Sequence, residues 1–141
     1  MKLSNNFMLQ EFLDSQTAHR HGITEQFQPP QSIINNLQLL CVNILQPVRN
    51  QFGMIKVTSG YRCKRLNDLI KGSSSSQHMT GQAADIQGIK AKNKALFEFI
   101  RSSELPYDQL IWEFGTRLDP AWVHVSFSPN PRRQVLYIGV D

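Results

Sequence analysis

Two histidines and an aspartate, His78, Asp85 and His124, are the residues whose types and spacing point to chemistry. His78 and Asp85 lie in Ser76-Gln77-His78-Met79-Thr80-Gly81-Gln82-Ala83-Ala84-Asp85, and His124 lies in Trp122-Val123-His124-Val125-Ser126. Two imidazole nitrogens and a carboxylate oxygen are a frequent catalytic zinc set: three protein donors, with the fourth position left for water or substrate. If they converge, they define a metal-dependent hydrolase. Spacing alone does not compel that reading, because a single histidine is more often packed or solvated than metal-bound. His19 and His21 also form an H-x-H pair, but no carboxylate is organised around them in their polar stretch, and they are not expected to bind metal.

The elements around the three residues must bring them together. In Trp122 to Phe127 successive side chains alternate between faces, so Val123, Val125 and Phe127 share the core side while Trp122, His124 and Ser126 share the other. The same alternation over Ala83 to Ile86 turns Ala84 and Ile86 inward and Ala83 and Asp85 outward, and the small Ala83 leaves room beside the carboxylate. Neighbouring strands lie about 4.8 Å apart, so two strands and one loop can reach an ion about 2 Å from each donor. His78 belongs to such a loop, approached through the serine run Ser73 to Ser76, which reads as mobile.

Upstream, Phe7 to Leu13 reads as one or two helical turns and Ser15 to Pro30 as a polar loop. From Ser32 to Phe52, Ile33, Leu37, Leu40, Ile44 and Val48 recur at three- and four-residue steps, the pattern of a core-facing helix. Pro47 should kink or shorten its end. Met54 to Ser59 reads as a strand, and Arg62 to Ile70 and Lys90 to Ser103 as helices. Tyr107 to Phe114 and Arg132 to Val140 complete the strands. Helices and strands mix without a regular βαβ rhythm, so the class is α+β.

A chain of 141 residues suits one domain over 1–141, large enough to need no disulfide staple. Cys41 falls inside the apolar helix as a buried thiol, and neither it nor Cys63 has a C-x-x-C partner, which argues against a zinc knuckle. A net charge of +4 is a mild excess that suits an anionic partner such as a cell wall. No dense basic stripe interleaved with aromatics speaks for nucleic acid. Met1 to Asn6 lacks a signal-peptide core, and no apolar run approaches a membrane span. The expectation is a monomer made in the cytoplasm that meets a cell wall only after release or export.

These residues resemble a family. S-x-H-x-x-G-x-A-x-D followed by W-x-H is similar to the D-alanyl-D-alanine carboxypeptidase-type zinc peptidases, which include vancomycin-resistance D,D-dipeptidases and phage L-alanyl-D-glutamate endolysins. The hedgehog signalling domain shares their fold. Thr58-Ser59-Gly60-Tyr61-Arg62 and Tyr107-Asp108-Gln109-Leu110-Ile111-Trp112-Glu113 match in order, as do the early Leu9 to Ser15 and His21-Gly22-Ile23. The resemblance implies a small antiparallel sheet flanked by helices, with one zinc ion held by His78, Asp85 and His124. It implies that Arg62 polarises the substrate carbonyl and stabilises the oxyanion, and that Ser76 hydrogen-bonds substrate. Specificity would lie around Trp122, Tyr61 and the serine loop. The implied substrate is a peptidoglycan stem peptide, cut at a D-Ala-D-Ala or an L-Ala-D-Glu type bond.

One departure bears on the mechanism. Many relatives carry Glu or Asp three residues before the last histidine, where this chain has Ala121. Glu113, at the end of the preceding strand, and Asp119, in the connecting loop, are the remaining carboxylates. Glu113 is the preferred general base, because a strand end is better held than a loop before Pro120 and because the hedgehog domain has a similar zinc-proximal glutamate. The missing carboxylate also leaves a catalytically silent zinc-containing binding module, or a phage virion component of the same fold, as alternatives.

Overall fold

The computed structural model describes residues 1–141. The chain opens with a hairpin that hydropathy does not announce: β1 (Lys2–Ser4) and β2 (Phe7–Met8) pair antiparallel. Gln46 holds it, with Oε1 accepting the Ser4 hydroxyl at 2.7 Å and the Asn6 N–H at 3.0 Å. Helix α1 (Leu9–Leu13) starts where Glu11 accepts the Met8 N–H at 2.7 Å, and it buries Phe12 and Leu13.

The stretch expected as a polar loop, 15–30, is partly helical. Ser15 caps α2 (Gln16–Arg20) by accepting the Ala18 N–H at 3.1 Å, and a 3-10 turn follows at Thr24–Phe27. The physical reason is Gln26, which is fully buried. Its Nε2 donates to the carbonyls of Leu13 at 3.0 Å and Tyr61 at 2.7 Å, and its Oε1 accepts the Cys63 N–H at 2.8 Å. A buried amide with three backbone partners orders the segment where apolar periodicity cannot.

The long apolar helix forms as α3 (Gln31–Leu40) and α4 (Gln46–Phe52), joined without a break by a π turn at Cys41–Leu45. Pro47 has no N–H and its ring crowds the carbonyl four residues back. The wider turn, in which the Gln46 N–H donates to Cys41 O, absorbs that demand.

Strand β3 (Ile55–Ser59), helix α5 (Lys64–Leu69), a 3-10 turn (Gln77–Thr80) and β4 (Ala83–Gly88) come next. Helix α6 (Asn93–Ser102) leads to β5 (Gln109–Glu113), β6 (Trp122–Ser126) and β7 (Gln134–Ile138). The strands form one sheet in the order β3-β4-β6-β5-β7. Strands β3, β4, β6 and β5 form the small antiparallel sheet expected, and β7 joins its edge parallel to β5. The cause is topological. Strand β6 ends beside the start of β5, the short connection stays at that end, and β7 sets off in the direction of β5, with Gln134 opposite Gln109.

One face of the sheet carries Ala84, Ile86, Leu110, Trp112, Val123 and Val125, all buried. Helix α6 packs across β4, β5 and β6 and against α4, and Phe97 meets Trp112 edge-on at 5.2 Å. The other face carries Asp85, Ile111 and His124. This is the partition that strand alternation predicts. His124 is nevertheless only 7% exposed, not displayed on an open surface, and the ring of His78 from the Gln77–Thr80 turn packs edge-on against it at 5.1 Å.

Gly60 marks a close backbone crossing between β3 and α1. A Cβ there would meet Phe12 Cα at 2.6 Å and Phe12 O at 2.7 Å, backbone atoms that cannot move aside. The neighbouring Tyr61 N–H donates to that same carbonyl at 2.8 Å. Gly60→Ala is expected to destabilise the fold by about 1–3 kcal/mol through overpacking. Urea unfolding would measure it, and an unchanged midpoint would refute the crossing as a constraint.

Candidate metal centre

Asp85 on β4 and His124 on β6 are directly opposite one another in the ladder. His78 reaches the same point from the 3-10 turn just before β4. Ser76 caps this turn, its hydroxyl accepting the His78 N–H at 3.2 Å. Gly81 closes it in the left-handed conformation, φ 71°, returning the chain to β4.

The donors converge. His124 Nδ1 lies 3.0 Å from Asp85 Oδ1, and His78 Nε2 lies 3.4 Å from the same oxygen. All three candidate ligand atoms fall within 4.8 Å of one another, and no other cluster of this kind exists in the chain. Donors about 2.0–2.2 Å from a tetrahedral zinc stand roughly 3.3–3.6 Å apart, and the two edges that meet at Asp85 are already close to that spacing. His78 Nδ1 is 2.7 Å from Gly60 O. A carbonyl only accepts, so Nδ1 carries a proton and Nε2 is the nitrogen that faces the other donors and would offer its lone pair to a metal. This is the outer hydrogen bond that orients a ligating imidazole.

The two acids beside the centre are shifted in opposite directions. Burial would raise the Asp85 carboxyl, but hydrogen bonds and positive potential from His124 and His78 outweigh it and hold it well below the ordinary range. Glu113 is raised, by burial first and by the Asp85 charge second, against the opposing pull of His124 and Arg62. Its Oε1 is 3.8 Å from His124 Nδ1. The Trp122 indole N–H lies near enough to lower Glu113 slightly, yet it lacks hydrogen-bond geometry and stays buried and unpaired.

The centre floors a cleft of about 610 Å³. Arg62, Ser76, Trp122 and Glu113 line it beside the three donors. Arg62 Nη2 contacts the Ser76 hydroxyl at 3.4 Å, and its backbone N–H donates to His78 O at 3.0 Å. Trp122 packs on Phe114 with ring centroids 5.2 Å apart. A larger groove of about 1010 Å³ runs beside β3 and α1, but it holds no such donor set.

Two residues singled out by sequence lie apart. Tyr61 does not line the cleft; it is 8% exposed and packs in the core. Asp119 is occupied elsewhere, accepting the Lys94 N–H at 2.7 Å near the start of α6. His19 stacks on Phe27 at 4.4 Å, and His21 ends α2 with no carboxylate cluster around either. Conversely, Gln77, Gln109 and Arg132 line the cleft without having been assigned a role. Asp108 stood in a matched motif, but its partner Arg132 could not be paired with it from sequence.

The arrangement is of the kind that holds one divalent ion at the base of a polar cleft. Comparison with known families narrows this: residues 5–126 match peptidase M15, and the chain belongs to that family of zinc-dependent peptidases. No curated protein matches the chain. No helix is long and apolar enough to cross a membrane.

Asp108 ties this end of the fold together. Its side chain is 3% exposed and accepts the Arg132 N–H at 2.9 Å, Arg132 Nε at 3.0 Å and Nη2 at 2.8 Å, and Gln77 Nε2 at 2.9 Å. These bonds, those from the Arg132 side chain above all, hold its carboxyl down at about 2. A depressed carboxyl stabilises the fold fully above its unfolded pKa of about 3.9 and loses that contribution as pH falls towards about 2. Asp108→Asn is expected to be less stable at neutral pH by roughly 1–2 kcal/mol, with the gap closing below about pH 4. Denaturation at a series of pH values measures this, and a gap independent of pH would contradict it.

Proposed function

We propose that the protein is a zinc peptidase hydrolysing an amide bond in peptidoglycan stem peptides, of the D-Ala-D-Ala carboxypeptidase or L-Ala-D-Glu endopeptidase type. The observation that carries this reading is Glu113. It is a carboxylate with a raised pKa, 3.8 Å from His124 and facing the cleft, and it is surplus to the three donors. A free carboxylate of this kind beside the donors is what proton transfer in amide hydrolysis requires. Membership of peptidase M15 supports the reaction class.

Two nitrogen donors and one carboxylate suit zinc better than an oxygen-seeking alkaline-earth ion. His78, Asp85 and His124 would hold it, with Gly60 O keeping His78 in the tautomer that offers Nε2. Zinc in such a site lowers the pKa of bound water to about 7 and polarises the scissile carbonyl. Glu113 takes the proton given up by the attacking water and delivers it to the leaving amine nitrogen as the C–N bond breaks. A raised pKa suits both halves of that task. Arg62, within the fields of Asp85 and Glu113, donates to the carbonyl oxygen as negative charge builds there. Ser76 holds Arg62 and the start of the His78 turn in one place and offers its hydroxyl to the peptide. Trp122 walls the Glu113 end of the cleft.

Glu113→Gln is expected to lower kcat/KM by about 10²–10⁴ while one zinc per chain remains bound, as read by metal analysis. Retained turnover in that variant would remove Glu113 from the mechanism. The parent test is digestion of purified peptidoglycan by the zinc-loaded protein, with a chelated control and mass spectrometry of the fragments. Chelator-sensitive new termini would identify the bond. Intact muropeptides from several wall types would favour the binding module.

A further inference from the structure

The cleft has a second end. Along β5, Glu113, Ile111 and Gln109 face it in turn, and Ile111 is on the rung of His124. Glu113 therefore stands to one side of the metal donors. Asp108, just beyond Gln109, lies about 10 Å from Ile111 along the strand on the other side. Arg132 is fixed to that aspartate. It and Arg62 are the two cations lining the cleft.

The way Arg132 is held matters more than its charge. Its Nε and Nη2 make a fork on the Asp108 carboxylate at 3.0 and 2.8 Å. A guanidinium carries five N–H donors, so three remain, including both on Nη1. The Arg132 side chain is 57% exposed against 3% for Asp108, so the anion is on the inside and the unspent donors face outward. Gln77, adjacent to His78, braces the same carboxylate at 2.9 Å. An ordinary surface arginine loses rotamer freedom when it binds a ligand. This one is already oriented, so less is lost. Its free edge matches a carboxylate, which takes two parallel N–H bonds from a guanidinium.

We propose that Arg132 is a specificity-determining residue that binds a free carboxylate of the peptide on the side of the cleft away from Glu113. The protein then prefers acidic stem peptides to their amidated counterparts. This rests on the peptidase reading for the identity of the ligand. A primary amide in place of the carboxylate forms no ion pair, and its NH₂ meets the guanidinium donor to donor.

The test uses zinc-loaded Glu113→Gln protein, so that binding is read without turnover. Titration calorimetry compares one synthetic stem pentapeptide with its carboxylates free and the same peptide with them as primary amides. The acidic form is expected to bind at least tenfold more tightly, and adding Arg132→Gln should bring the two affinities close together. Arg132→Gln leaves the buried Asp108 without its counter-charge, so the double variant Asp108→Asn/Arg132→Gln is measured as well and should show the same loss. Arg132→Lys keeps the charge without the fork and should retain part of the preference. Equal affinities in the Arg132-containing protein, or an undiminished preference in the double variant, would overturn the proposal, as would failure of the acidic peptide to bind. The peptidase reading is judged separately on protein with Glu113 intact. The expected affinity ratio without hydrolysis would sink that reading and keep the carboxylate site. Hydrolysis of both peptides with equal affinity would do the reverse.

Discussion

The rung that sets Asp85 against His124 is the constraint from which the rest of the site follows. Opposite residues in an antiparallel ladder have Cα atoms about 4.5–5.5 Å apart, so the spacing of two donors is a property of the backbone. What fixes the register is on the opposite face, where Ile86, Val123 and Val125 are fully buried. Each contributes about 1.5–3 kcal/mol, together enough to offset the several kcal/mol of desolvating a carboxylate. A one-residue slip of either strand would turn its own donor into the core and its apolar side chains outward. Core packing and site geometry are therefore a single fact about β4 and β6.

Around that rung, two carboxylates are driven to different tasks by their surroundings. Asp85 has an imidazole on either side and stays ionised. Glu113 is two residues along β5 from the rung, has one imidazole at longer range and feels the charge of Asp85, and its pKa rises. Separated environments of this kind let one acid serve as a ligand and another as a proton carrier. Neither needs an unusual side chain, only a different position on the same sheet face.

How far the sequence revealed this depends on the range over which each signal acts. Alternation in Ala83 to Ile86 and Trp122 to Phe127 is local, and it placed Asp85 and His124 on a common face. The three- and four-residue steps of Ile33 to Val48 placed the helix of α3 and α4, though not the π turn that accommodates Pro47. What escaped depends on partners distant in sequence. Gln26 orders its segment through Leu13, Tyr61 and Cys63. The parallel course of β7 follows from where β6 ends, not from the composition of β7. Tyr61 and Arg62 are neighbours in one motif, yet the turn after β3 sends one into the core and the other to the cleft. Arg132 shows no pattern at all until Asp108 is seen beside it.

His78 is the one donor not borne by a strand. It hangs from a four-residue 3-10 turn, anchored by Gly60 O and capped by Ser76, next to a run of serines that is largely exposed. Sheet ladders open only with the core, whereas short turns open locally at far lower cost. An ion held here would therefore have two ligands fixed by the sheet and a third on the part of the site that opens most readily. The Gln77–Thr80 turn is then the side from which such an ion would enter and leave.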